Sequence, residues 1–170
     1  MSLFRMPVLA VGVAALAACG FQPLYGSRVA GSAPVEFSQI KIEPIPDRIG
    51  QQLHNHLLTL LNTDGRPDRP RYVMKTHLTE SLTALGVRKT AFATRANLQM
   101  RAVYNVTSAA SGQNVFSGDS TITVSYNILD SEFATLMAEK DARERAAREL
   151  GEDIRIRLGV FFANQATQGR

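Results

Sequence analysis

Apolar and polar positions alternate through most of the middle of this chain, and the period of the alternation changes along it. The pattern is cleanest between residues 95 and 106. Ala96, Leu98, Met100, Ala102, Tyr104 and Val106 fall on one side of an extended chain, and Arg95, Asn97, Gln99, Arg101 and Asn105 on the other. A period of two belongs to a strand with one buried face. Residues 72 to about 85 read the same way, with Tyr72, Met74, Thr76 and Leu78 alternating with Val73, Lys75, His77 and Thr79. So do residues 115 to about 126, where Phe116, Ile122, Val124 and Tyr126 are in phase and Gly118 is a candidate bulge. A first strand is expected over residues 36 to 44, with Ile40 and Ile42 pointing one way until Pro44 and Pro46 stop it.

Two stretches carry the helical period instead. From Arg48 to about Asn62, Ile49, Leu53, Leu57, Leu60 and Leu61 form one stripe, with Asp47 placed to cap the start. "NTDGRPDRP" then breaks the helix. A second helix is expected from about Glu132 to Phe162. Phe133, Leu136, Met137, Ala147, Leu150, Ile154, Leu158 and Phe161 approximate its buried stripe, and "EKDARERAARE" its charged exterior. Asp130 or Ser131 caps it, Glu132 suits the positive end of its dipole, and Glu144–Arg148 has the spacing of an i,i+4 ion pair.

The resulting order is β-α-β-β-β-α. Strands with one apolar face need cover, and two amphipathic helices can supply it. The expected fold is α+β: a two-layer sandwich of a four-stranded, mainly antiparallel sheet with both helices on one face. "GVRKTAF" and "SAASGQN" connect the last three strands. There is no internal repeat and no low-complexity block.

The first eighteen residues have a different character. After Arg5, residues 7–18 carry no charge and are mostly Val, Leu, Ala and Gly. As a helix they would span about 18 Å, short of a bilayer core of about 30 Å. That is the apolar part of an export signal, not a membrane span. The signal ends at Cys19, the chain's single cysteine, which excludes an intrachain disulfide and a CxxC pair. Leu16-Ala17-Ala18-Cys19 resembles the bacterial lipobox, and that resemblance implies cleavage before Cys19, with lipid on its thiol and its new amine. Two or more acyl chains anchor a protein stably where one does not. The alternative is an ordinary secretory signal in which Cys19 is a small apolar residue. A nucleophilic thiol would need a base and a structured pocket, and this residue lies in a segment due for processing. Gly20 lacks the Asp that favours inner-membrane retention, so the resemblance implies the periplasmic side of the outer membrane. The expected organisation is a signal peptide over 1–18, a lipidated N-terminus and spacer over 19–35, the domain over 36–163, and a flexible tail over 164–170.

A search for chemistry finds little. The net charge is +4, spread along 170 residues, a mild signal for an anionic partner. His54 and His56 sit two apart on a helix, about 200° around it, so they cannot share a metal. His77 stands alone on a strand. No HExxH, GxSxG or Walker loop is present. Asp141, Glu144 and Asp153 read as a solvated helix face. Nothing points to catalysis, to a metal, or to a cofactor beyond the lipid on Cys19. No aromatic platform or motif points to nucleic acid.

The segment "CGFQPLYG" (Cys19 to Gly26) resembles the start of mature LPS-assembly lipoproteins, the LptE family, in a version similar to alphaproteobacterial members. The order of elements and the long charged last helix, "AEKDARERAAREL", match as well. The resemblance implies a non-enzymatic outer-membrane lipoprotein. Such a protein plugs the lumen of the LPS-assembly β-barrel LptD, helps it assemble, and takes part in delivering lipopolysaccharide to the outer leaflet. It implies lipopolysaccharide as a ligand too, with Arg88 the closest match to a basic residue in the connection between the second and third strands. Lys89 beside it and Lys140 on the last helix are the further candidates. Arg and Lys suit phosphates, while an ordinary solvated turn is the alternative for Arg88-Lys89. A generic lipid-anchored periplasmic adaptor with another envelope partner is the competing function.

Overall fold

The computed structural model describes residues 36–63, 65–87 and 93–168. Its elements are β1 (Ile40–Ile42), α1 (Arg48–Leu61), β2 (Tyr72–Val87), β3 (Ala93–Ser108), β4 (Asn114–Asn127) and α2 (Glu132–Gln168). The strands form one sheet in the order β1-β2-β3-β4. β1 runs parallel to β2, through the α1 crossover, and the other neighbours are antiparallel. This is the α+β sandwich that the alternation predicts. Ala96, Leu98, Met100, Ala102, Tyr104 and Val106 are all buried, in one core with Leu53, Leu57 and Leu61 of α1 and Leu150, Ile154 and Leu158 of α2. Among the described residues, no helix is long and apolar enough to cross a membrane.

Several boundaries differ from the sequence expectation, each for a local reason. β1 is three residues long, not nine, because the chain turns just before it. The Gln39 N–H donates to the Glu36 carbonyl at 3.1 Å, and the Asn62 side-chain amide donates to the carbonyls of Phe37 and Ile40, both at 3.1 Å. Asp47 makes no side-chain cap hydrogen bond. It sits at φ 66° and ψ 165°, and only its carbonyl engages the helix, accepting from the Gln51 N–H at 2.9 Å. At the second helix, Ser131 is the cap: its hydroxyl accepts from the Ala134 N–H at 3.4 Å and its carbonyl from Thr135 at 3.0 Å. Past Phe162, Ala163 to Gln168 contain no proline or glycine, and α2 continues to Gln168 where a frayed tail from residue 164 was expected.

The bulge in β4 is not at Gly118, which pairs with Tyr104 in unbroken register. The irregularity lies between Val106 and Thr107, where Val115 is the extra residue. Gly118 has a different task. A Cβ built on it would lie 2.7 Å from both Cζ and Oη of Tyr104, so the tyrosine ring occupies the space a side chain would need. Gly151 plays the same part between the helices, since a Cβ there would lie 2.7 Å from Cδ2 of His56.

Candidate functional site

Among the described residues, the helices cover one face of the sheet and leave the other bare. The bare face carries the polar phase of β2, β3 and β4, and cross-strand hydrogen bonds order it. Ser125 donates its hydroxyl to Oδ1 of Asn97 and Ser117 donates to Oδ1 of Asn105, each at 2.7 Å. Thr79 donates to the Arg101 carbonyl at 3.4 Å. Arg101 meets Asp119 at 3.3 Å, with both side chains more than half exposed, so this pair sets geometry more than stability. Arg95, Asn97, Gln99 and Arg101 all lie on this face, as their phase predicts. The result is a surface about fifteen residues long and three strands wide, made mostly of Ser, Thr, Asn and Gln.

Of the basic candidates, Arg88 and Lys89, like Cys19, lie outside the described residues. The hairpin that carries the pair is described up to Val87 and from Ala93, which are register partners. Lys140 is exposed on α2. It stands one turn before Arg143, whose guanidinium lies 2.9 Å from Glu80 and 2.6 Å from Glu139. That ion pair fixes α2 against β2 at the level of Glu80. With a rise of about 3.3 Å per strand residue, Lys140 lies about 20 Å short of Val87 along the strand. Lys140 therefore stands nearer the middle of β2 than its end.

The charged face of α2 is laced by Asp141–Arg145 at 2.8 Å, Asp153–Arg157 at 2.7 Å and Glu152–Arg155 at 3.2 Å. Glu144 and Arg148 form no ion pair despite their spacing. They line a shallow groove between the helices with His56, Gln52 and Asn55. Burial would raise the Asp153 carboxyl, but the neighbouring Ser120 hydroxyl and Arg157 outweigh it and hold it below its usual range. His54 is buried, and burial, helped by the charge of Arg66, lowers its pKa, with a backbone contact at Glu43 partly opposing. His77 stands on the bare face, exposed. The three histidines thus go to a core position, a helix interface and a surface. The hydroxyls of Tyr104 and Ser120 are buried next to each other and to the Asp153 carboxyl, at the seam between sheet and α2.

One feature of the surface runs against the sequence pattern. Phe133, Leu136 and Met137 were expected in the buried stripe of the second helix, yet they are 71%, 55% and 40% exposed. Leu82 and Leu129 are similarly open, at 46% and 48%. The cause is that the sheet-facing side of α2 shifts along its length. Near its start Ala134, Ala138 and Ala142 face the sheet, and Phe133, Leu136 and Met137 lie on the other side. A single straight helical period does not show this shift.

Comparison with known proteins gives a consistent result. The family described as "LptE: Lipopolysaccharide-assembly" matches residues 37–158. No curated protein matches by sequence. Among solved structures, a putative lipoprotein from Caulobacter crescentus CB15 is similar at TM-score 0.63 and 25% identity, over 79% of this chain and 98% of that one. A minor lipoprotein from Acinetobacter baumannii aligns at TM-score 0.60 and 15% identity, over 73% of this chain and 92% of that one. The rare lipoprotein B from Shewanella oneidensis aligns at TM-score 0.58 and 10% identity, over 78% and 99%. The last two share the fold.

Proposed function

This chain belongs to the LptE family of lipopolysaccharide-assembly proteins, and from that premise we propose that it is an outer-membrane lipoprotein, held by lipid on Cys19, that plugs the β-barrel LptD and engages lipopolysaccharide on its way to the outer leaflet. A role in lipopolysaccharide assembly follows from the family; the plug, the anchor and the ligand contacts are the finer reading. On this reading the protein performs no catalysis.

The observation that carries the plug is the bare sheet face. A sheet face without helices usually meets a partner or water, and here short hydrogen-bonding side chains, several held in cross-strand pairs, predominate, with Arg101 paired to Asp119 among them. Large outer-membrane barrels have polar interiors. A surface of Ser, Thr, Asn and Gln can exchange water for such a wall without burying unpaired charge. Arg88 and Lys89, which follow β2 in the sequence, and Lys140 on α2 would supply guanidinium and ammonium donors to phosphate groups.

The test is purification of the full chain, tagged at its C-terminus, from detergent-solubilised outer membranes. A large β-barrel protein in stoichiometric amount is the expected companion; its absence would leave the adaptor reading in place. Arg88→Glu with Lys89→Glu is expected to weaken lipopolysaccharide binding while folding and barrel association persist. Cys19→Ala is expected to abolish incorporation of labelled palmitate, and continued labelling would contradict the anchor.

A further inference from the structure

The register leaves part of one sheet edge without a partner. The Ala109 N–H donates to the Arg71 carbonyl at 2.9 Å, so the odd-numbered residues of β2 exchange hydrogen bonds with β3. The even-numbered residues point their N–H and C=O groups the other way, toward β1. There the Tyr72 N–H donates to the Gln39 carbonyl at 3.2 Å, and the Met74 carbonyl accepts from the Glu43 N–H at 2.9 Å. β1 pairs with β2 only as far as Met74, because Pro44 and Pro46 stop it and the chain turns into α1. Beyond that point, the outward N–H and C=O groups of Leu78, Glu80, Leu82 and Ala84 make no backbone hydrogen bond among the described residues. A cavity of about 150 Å³ adjoins the start of this open stretch. Leu78 and Glu80 line it from β2, and Ile45, Pro46 and Ile49 from the chain entering α1. A mostly apolar space of that size takes one aliphatic or aromatic group. Asp47 lines it too, at φ 66° and ψ 165°, and strained residues other than glycine gather at binding sites. Leu82, two residues past Glu80 on the same face, is half-exposed.

We propose that this edge receives an extended segment of the barrel partner as a further strand beside β2, with one apolar side chain seated in the cavity and the next on the same side over Leu82. The inference rests on the plug reading above and names a contact by which the plug is gripped. The backbone decides the class of occupant. Outward groups recur every second residue, about 6.6 Å apart. An extended polypeptide matches that repeat group for group, and a lipid or a saccharide does not. Strand addition takes affinity from the main chain and selectivity from side-chain pockets, and this edge offers both. A closed barrel wall has its own backbone groups fully paired. The pairing segment is therefore a loop or arm that reaches into the lumen, not a strand of the wall.

The experiment measures amide hydrogen exchange, residue by residue, in the full chain alone and in the complex it forms with the barrel when purified from outer membranes. Thr79, Ser81 and Thr83 donate to β3 and should exchange slowly in both. The amides of Leu78, Glu80, Leu82 and Ala84 should exchange fast in the free chain and about tenfold or more slowly in the complex, an alternation that burial of a sheet face does not produce. The variant is L82P, which removes an outward N–H and costs β3 no hydrogen bond; L82A controls for the lost side chain. Folding of both is checked by the urea midpoint. L82P should recover about tenfold less barrel than L82A. Recovery of the barrel with unchanged exchange at the four amides overturns the inference alone, as does equal recovery by L82P and L82A. Should L82P not fold, the exchange pattern of the wild type decides. The same slowing in the purified chain without the barrel, growing with concentration, assigns the edge to a second copy and overturns the inference too. If the wild type recovers no barrel, the plug reading fails and this inference with it.

Discussion

Gly118→Ala gives the most direct test of how the sheet packs. Gly118 has no positive φ, so its backbone accepts alanine, and the only objection is steric. The new Cβ would lie 2.7 Å from Cζ and Oη of Tyr104 and 2.9 Å from Cε2, against an ordinary contact of 3.4–4 Å. The ring would have to withdraw by roughly 0.7 Å or more to restore a normal contact. It has little freedom to do so, because Tyr104 is fully buried and Phe116 packs beside it at a centroid distance of 6.0 Å. Overpacking of this kind costs about 1–3 kcal/mol. The reduced freedom of the unfolded chain offsets about 0.5–1 kcal/mol of that. A net loss of about 1–2 kcal/mol is expected. In urea unfolding with an m-value of about 1.5 kcal/mol/M, the midpoint should fall by about 1 M with m unchanged. In a Tyr104→Leu background the clash is gone, so Gly118→Ala should become neutral or slightly stabilising, a coupling of about 1–2 kcal/mol. An unchanged or raised midpoint for Gly118→Ala alone would refute the seating of Tyr104 over Gly118.

Asp47→Gly should stabilise the domain by about 1 kcal/mol, since φ 66° with ψ 165° strains any residue but glycine and the Asp47 side chain makes no cap hydrogen bond to lose; a lower thermal midpoint would contradict this. For His54 the folded-state pKa lies below its ordinary value of 6.5, so on acidification the unfolded chain takes up a proton that the folded chain refuses. Stability should therefore fall as pH drops below about 6.5, and melting temperatures from pH 7.5 to 5.5 should decline less steeply in His54→Gln. The Asp153 carboxyl is displaced in the same direction, below its ordinary value: its contribution holds above about pH 4 and is lost only as pH falls toward its lowered pKa, outside that window.

The fold was legible because its decisive signals are local. In β3 every second residue from Ala96 to Val106 is apolar, and all six are buried; a one-residue slip would reverse them all. What was not legible depended on contacts between distant segments. Nothing near Asp47 announces that the chain enters α1 with a positive φ. Nothing near Gly118 announces that Tyr104, fourteen residues earlier, needs its space, so an isolated glycine in a strand was read as a bulge. The true bulge at Val115 follows from the pairing of β3 with β4 and leaves no mark of its own.

The second helix shows how a correct period can lead to a wrong environment. Phe133, Leu136 and Met137 are in phase with Leu150 and Ile154, and the helix forms where their spacing predicts. Phase states which residues share a side of the helix; it says nothing about what lies opposite. Opposite Leu150 and Ile154 stand the sheet and α1, whereas near the start of α2 it is Ala134, Ala138 and Ala142 that face the sheet, and Phe133 and Leu136 look away from it. Uncovered apolar side chains carry a standing cost in solubility, which several polar substitutions on an exposed helix face would remove at little expense to folding.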